Sequence, residues 1–585
     1  MASSKPGLFA REATGLVREV GFMLGVIVIL SHVVGLGWQK RVFQFSGPMP
    51  LPNDMMPLGL PPMFWAFLVC GIFVLITGYA AGYVTAAMPR SGGGYVTISR
   101  VIHPIIGYIA GWLMFLAEAF SYGLIGVACF EAIMIFFIIA LAPTVIAFDA
   151  TTLFVGGLIV VWIFAILALL GTKLYGKIMH ILFWIPAIIT VAFFAMWIAG
   201  ATNPDLLGTG VETVMGVTPD MLTNLAINSG MTDHIATVYD AFSYALPGAF
   251  WAYMGWYATT FIAGEVKEAN RKLPKVVVLA GLITLLVYAA ATTASAFPGM
   301  GLAVRTVDGH DWSFFQAYSW LSYGGDKINW TAAYEYVGVD PNVTKYGTGN
   351  WTHIAESPDW KDINFQKAWS TGVASLIARG MGLDWLAILI AVAAVLWLAN
   401  DIPPFLLVAS RTFFAMAFDR MMPESFAYVS EKYHSPVWSI IITAVAGILG
   451  CIAESNVGGL GTYTAFAGVV GTDIFDAFFL TLFCLSCCLL PLERREIYER
   501  AAVRHSIGTV VSLGFIATLC GGFCLYTFLR ESPWIFHPAS VGDLSSAIGF
   551  FLCIIIGLLL YIYHIYKNTT RGVDVRTLYL SIPPE

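Results

Sequence analysis

Twelve stretches of this chain run for about twenty residues or more with almost no charge, near 20–44, 62–88, 105–140, 152–172, 178–200, 238–263, 275–298, 383–418, 436–454, 460–490, 507–529 and 544–566. Hydrocarbon offers no partner to a backbone N–H or C=O, so an apolar run of that length satisfies itself as a helix across a bilayer. The expectation is an all-α integral membrane protein with about twelve transmembrane helices. The third, eighth and tenth runs are long for one crossing, and their ends stay open. Composition agrees: charged residues make up 11% of the 585, against about 25% in soluble domains.

Lysine and arginine set the orientation. With both termini in the cytoplasm, 21 of the 30 fall in cytoplasmic segments. "EVKEANRKLPK" (265–275) and "LERREIYERAAVR" (492–504) lie inside, whereas 201–237 holds acids but no lysine or arginine. The start, "MASSKPGLFAREATGLVREV", lacks the small-residue cleavage site of a secretory signal. The expected organisation is a cytoplasmic lead-in at 1–19 and a ten-helix core at 20–490. A cytoplasmic loop with two peripheral helices follows at 491–566, then a cytoplasmic tail at 567–585. A net charge of −6 gives no case for nucleic acid.

The segment 299–375 is the largest polar excursion and faces outward in this scheme. Six of the eighteen tryptophans lie in it, among them Trp312, Trp330 and Trp351. That aromatic content predicts an ordered extracellular cap. Three Asn-X-Thr sequons, at Asn329, Asn342 and Asn350, make glycosylation possible without requiring it. The nine cysteines avoid this loop and fall in or beside apolar runs, which argues against extracellular disulfides. "CLSCC" (484–488) lacks flanking ligands, so buried inert thiols are expected rather than a metal site.

"SHVVGLGWQKR" (31–41) ends the first apolar run with a histidine, two close glycines and a Lys-Arg pair. Each weakens a plain spanning helix. Their clustering predicts a break, with close helix packing as the alternative use of a G-x-G.

Three further stretches carry a resemblance. "GYVTAAMPRSGGGYVTISRVIHPIIGYIAGW" (82–112) turns sharply at Pro89 and its glycines. "AFWAYMGWYATTFIAGEVKEANRKLPKVV" (249–277) joins a sixth span to a basic loop, and "VASRTFFAMAFDRMMPESFAYV" (408–429) closes the eighth. In wording and order these resemble the signatures of the amino acid–polyamine–organocation (APC) transporter superfamily, over roughly 15–500. The resemblance implies a leucine-transporter-like fold, two inverted five-helix repeats with broken first and sixth helices.

It also implies a mid-membrane site. Gly35, Leu36 and Gly37 occupy the first break, where N–H groups would cradle a substrate carboxylate, with Trp38 following. Tyr253, Met254 and Gly255 occupy the second, with carbonyls toward an ammonium. Trp256 stands where many relatives have an aromatic lid. Tyr257 replaces a position often acidic in relatives, which weakens a case for a cationic side chain. "VGLGWQKR" is also similar to the first span of sodium-coupled neurotransmitter symporters. By that match Arg41, with Lys40 beside it, falls at the outer gate, or both snorkel to the interface. Trp38 there replaces a sodium-binding asparagine.

Ionisable groups inside spans default to function. They are Glu118 and Glu131 in the third run, Asp401 in the eighth, and Asp473 and Asp476 in the tenth. Asp401, in "WLANDIPPFLL", is the leading ion-coupling candidate, because Pro403 and Pro404 free carbonyls nearby. Its alternatives are a packing acid or a salt bridge to Lys40 or Arg41. Glu118 and His32 are further candidates, and His180 a possible proton carrier. No metal or cofactor is expected beyond a coupling proton or sodium ion.

The function expected is a secondary transporter of the plasma membrane carrying an amino acid, or a related amine or organic acid. An exchanger or uniporter, or a nutrient sensor on the same scaffold, is the alternative. An enzyme is not indicated, since no P-loop, H-E-x-x-H or usable G-x-S-x-G occurs. Bulky aromatics at the breaks suggest a modest side chain, while Lys40 and Arg41 would suit an acidic substrate. Partners are lipid and a small molecule; oligomeric state is not readable.

Overall fold

The computed structural model describes residues 8–141, 149–340, 351–361 and 363–584. The first apolar run becomes two helices, α1 (Phe22–Val33) and α2 (Gly37–Ser46), separated by three residues. Then come α3 (Pro62–Ala87), the short α4 (Gly93–Val101), α5 (Pro104–Leu141), α6 (Ala150–Leu169) and α7 (Thr172–Thr202). Two short helices, α8 (Asp205–Met215) and α9 (Pro219–Asn228), precede α10 (Val238–Tyr253) and α11 (Ala269–Met300).

Among the described residues, eleven helical stretches are long and apolar enough to cross a membrane, counting Phe22–Ser46 as one. Each overlaps one of the apolar runs. The remaining run, 238–263, is not a long helix: α10 stops after 16 residues and the chain continues as a turn and short 3-10 turns.

The segment after α11 is folded. It opens with a two-stranded hairpin, β1 (Arg305–Val307) and β2 (His310–Trp312). Four helices follow: α12 (Phe314–Tyr323), α13 (Trp330–Tyr336), α14 (Trp351–Ile354) and α15 (Ser370–Gly380). Buried Gln316 of α12 donates to the Leu51 carbonyl at 3.0 Å, and Lys327 donates to that of Pro48 at 2.6 Å. α15 lies so close to α8 that a Cβ added at Gly210 would stand 1.9 Å from the Leu376 carbonyl. These contacts make the described part of the segment an ordered cap. Of its sequons, Asn329 caps α13, while Asn342 and Asn350 lie outside the described residues.

The chain closes with α16 (Asp384–Phe418), α17 (Val437–Ser455), α18 (Val469–Glu493), the short α19 (Arg495–Arg500), α20 (Ile507–Arg530), α21 (Val541–Thr570) and α22 (Val575–Leu580). α16 runs on through Pro403 and Pro404: the rings remove only the hydrogen bonds that their missing N–H groups would make to carbonyls one turn earlier, and packed neighbours hold the rest. All nine cysteines are buried and free.

The three signature stretches meet at the end of the bundle opposite the cap. Glu265, from the second, pairs with Arg411, from the third, at 2.8 Å, both side chains almost wholly buried. Arg100, within the first, holds Asp419 with two nitrogens at 2.7 and 2.8 Å, and the Tyr95 hydroxyl donates to the same carboxylate. Both terminal segments cross this face. Val20 donates to the Glu265 carbonyl and accepts from the Lys267 N–H, both at 2.9 Å, and Arg90 donates to the Pro583 carbonyl at 2.6 Å.

Candidate functional site

α1 ends at Val33, with the Val34 N–H still donating to the Leu30 carbonyl at 2.7 Å, and α2 begins at Gly37. The first N–H groups of α2 and the last carbonyls of α1 therefore lack intrahelical partners. The break is held by close approach. A Cβ on Gly35 would stand 2.3 Å from an Asp401 carboxylate oxygen, and one on Gly37 2.5 Å from the Ala252 Cβ. Gln39 donates to the Gly35 carbonyl at 3.0 Å, and Ser31 to the Asn400 side-chain oxygen at 2.9 Å.

The second break follows Tyr253. Gly255 has φ +88°, a left-handed conformation that favours glycine, and a Cβ there would collide with the His32 ring at 2.5 Å. The two breaks thus lie against each other. Tyr288 of α11 joins them: its hydroxyl lies 2.7 Å from the Ala252 carbonyl and also contacts that of Val33.

Beside the breaks is a cavity of about 50 Å³, room for a few waters. From the first broken helix it is lined by His32, Val33, Leu36 and Gly37, and from the second by Trp251, Ala252 and Met254. Glu118 of α5, Asp401 and Phe405 of α16, Glu454 of α17, and Asp473 and Asp476 of α18 complete much of the remaining wall. Glu454 is exposed at the rim; the other four acids are no more than 5% exposed. His32 Nε2 stands 3.4 Å from Glu118 Oε2, near enough for electrostatic contact but without a hydrogen bond. One oxygen each of Glu118, Asp401 and Asp473 is buried without a hydrogen-bond partner. The Tyr257 hydroxyl donates to Asp476.

The residues singled out from sequence divide accordingly. Leu36, Gly37, Met254, His32, Glu118 and Asp401 line the cavity, with Gly35 and Gly255 packed behind them. The aromatics turn elsewhere. Trp38 packs among Phe193, Trp197 and Trp397, the Tyr253 hydroxyl reaches the Phe67 carbonyl at 3.0 Å, and the Trp256 indole donates to Thr77 at 3.1 Å. Tyr257 touches the cavity only through Asp476.

Neither Lys40 nor Arg41 makes a salt bridge to Asp401 among the described residues. The Lys40 ammonium sits 5.6 Å from the centre of the Trp369 ring. The Arg41 guanidinium lies 3.7 Å over the Trp251 ring and donates to Gln44 at 2.6 Å. Sequence reasoning did not reach Gln39, Tyr288 or Glu454, and it named Asp473 and Asp476 only as ionisable groups inside a span. A lone tyrosine in "LLVYAAATT" was the only signal for Tyr288.

Two helices broken side by side over a polar cavity, in a bundle of membrane-length helices, define a membrane protein of the permease type. The family model "Amino acid permease" matches residues 57–573. The chain belongs to that family, within the APC superfamily. It is similar to the serine/threonine exchanger SteT of Bacillus subtilis, 22% identical over 47% of this chain and 54% of the relative. It is also similar to the b(0,+)-type amino acid transporter 1 of Rattus norvegicus and of Homo sapiens, each 21% identical over 46% of this chain and 49% of the relative. The chain thus matches about half the length of these curated relatives, which are transporters rather than enzymes.

Proposed function

We propose that the chain is a secondary transporter that moves an amino acid, or a related amine or organic acid, across the plasma membrane by alternating access. It works as two inverted five-helix repeats, with both termini in the cytoplasm and transport coupled to a proton or sodium ion. The observation that carries this reading is the pair of broken helices sharing one ionisable cavity. A break exposes backbone groups that hydrocarbon would not tolerate, and it persists at membrane depth only where those groups face protein or a cavity. Helix ends and freed carbonyls then offer both signs of partial charge to a ligand. The buried ion pairs and crossed termini opposite the cap fit a closed cytoplasmic side. Exposed Glu454 fits an approach from outside.

Asp401 is the coupling residue in this reading, with Glu118 and His32 beside it. Lys40 and Arg41 act as gate residues on the outer path through their aromatic contacts. The test is uptake of a labelled amino acid panel into proteoliposomes, with proton and sodium gradients imposed separately. One gradient should drive uptake, and Asp401→Asn should abolish that drive. The name of the Bacillus relative favours a second mode, exchange. Uptake seen only against internal amino acid, and indifferent to Asp401→Asn, would establish exchange and remove the coupling role.

A further inference from the structure

The face opposite the cap carries a second cavity, of about 300 Å³, where three segments meet: the lead-in before α1, the start of α7 and the loop from α16 to α17. Lys173 and Lys177 of α7 and Lys432 of the loop line it. All three are exposed, and among the described residues none of them makes a salt bridge. The Lys432 ammonium lies 4.8 Å over the Tyr433 ring. Glu19 is the only acid among the described residues of the wall. The space therefore holds an excess of positive charge.

The floor of the cavity is fixed. Ser435 of the loop donates to the Leu169 carbonyl at 3.0 Å, and a Cβ on Gly171 would stand 2.5 Å from the Tyr433 carbonyl. Gly171 precedes α7 without a side-chain cap, so the first N–H groups of a long helix add positive partial charge beside the lysines. Lysines that only snorkel extend separately toward water; here two elements bring theirs to one concave space.

Depth in the membrane selects the anion. The 31 residues of α7 span ~46 Å at ~1.5 Å each, well beyond the ~30 Å of hydrocarbon, so its basic first turns reach the level of the headgroups. Further along, Leu174, Ile181, Ile185 and Ile188 share one helical face with Lys177 and are 40–69% exposed. Positive charge at phosphate depth thus continues into an apolar stripe, which is how a phospholipid is divided. In the proposed orientation this face is cytoplasmic, the side on which anionic lipids attract basic residues beside a span.

We propose that this cavity seats the headgroup of an anionic phospholipid. Lys173, Lys177 and Lys432 hold its phosphate, and an acyl chain lies along the exposed face of α7. The assignment does not depend on what the central cavity carries.

The test uses the full chain, purified in a nonionic detergent. Its melting temperature is measured while dioleoylphosphatidylglycerol, dioleoylphosphatidylcholine or glycerol 3-phosphate is titrated alone. The expected result is a saturable rise with phosphatidylglycerol only. Lys173→Gln, Lys177→Gln and Lys432→Gln combined should raise the half-saturating concentration of that lipid about tenfold or more. The same three positions changed to arginine should stay near the wild-type value.

An equal rise with phosphatidylcholine would mean that tails alone act, and overturns the proposal. So does an undiminished response in the glutamine variant, which would put the anion elsewhere, or no rise with any of the three compounds. Glycerol 3-phosphate as effective as the lipid would make this a site for a free phosphate ester and overturns the lipid assignment. If the combined variant does not fold, Lys177→Gln and Lys432→Gln made singly carry the same comparison.

Discussion

Gly35 has no room for a side chain. Its Cβ would sit inside the contact distance of a buried carboxylate anchored on another helix, and a well-packed interior concedes such a shift only at about 1–3 kcal/mol. Gly35→Ala is expected to lower the melting temperature and to abolish uptake in proteoliposomes, because the displaced group is the cavity's own Asp401. Tyr288 acts by adding a polar atom. Its single O–H serves one carbonyl at a time, and Val33 also accepts from the Gly35 N–H, so removing the hydroxyl strands the Ala252 acceptor at a cost of about 1–3 kcal/mol. Tyr288→Phe should therefore fold but melt earlier and transport more slowly. Unchanged uptake would show that the hydroxyl is not needed to hold the breaks.

At the scale of elements, the first break was legible because two glycines flank one leucine at the end of an apolar run, a local signal. The second was legible only through the signature around it. Which side chains face the cavity was not legible. A helix carries its phase at about 100° per residue, and an unwound segment discards that phase, so positions after a break cannot be assigned a face by counting. Trp38, one residue into α2, and Trp256, within the turn, point away for that reason.

Pairings were equally hidden. Glu265 and Arg411 lie 146 residues apart, and neither stretch announces the other. Breaking a buried pair of this kind costs about 3–5 kcal/mol, whereas replacing both partners with apolar residues costs far less. Arg411→Met is accordingly expected to lower the melting temperature sharply, and Glu265→Leu added to it should recover much of the loss. Equal additive losses would show that the two residues act independently.

Taken whole, the molecule is fastened differently at its two ends. At the cap end, Asp54 accepts from the Asp311 N–H and from His310, each at 2.9 Å. The Asp311 N–H first, then His310, hold the Asp54 carboxyl below its ordinary 3.8. A lowered carboxyl stabilises above its unfolded value and loses that contribution as pH falls through the folded one. The hairpin's attachment should therefore be constant from pH 5 to 8 and loosen only below about 3.8, which the fluorescence of buried Trp312 would report. Asp54→Asn should flatten that acid dependence.

At the opposite end, Val20 is stitched by two backbone hydrogen bonds to the strand of chain leaving the second broken helix. Thirteen residues away along each, at Val33 and Ala252, the same two segments share the Tyr288 hydroxyl. A plank nailed at two points to its neighbour can still swing, but only about the line through the nails. The expected motion is therefore a joint turn of the two discontinuous helices with the cavity between them, rather than a tilt of one past the other.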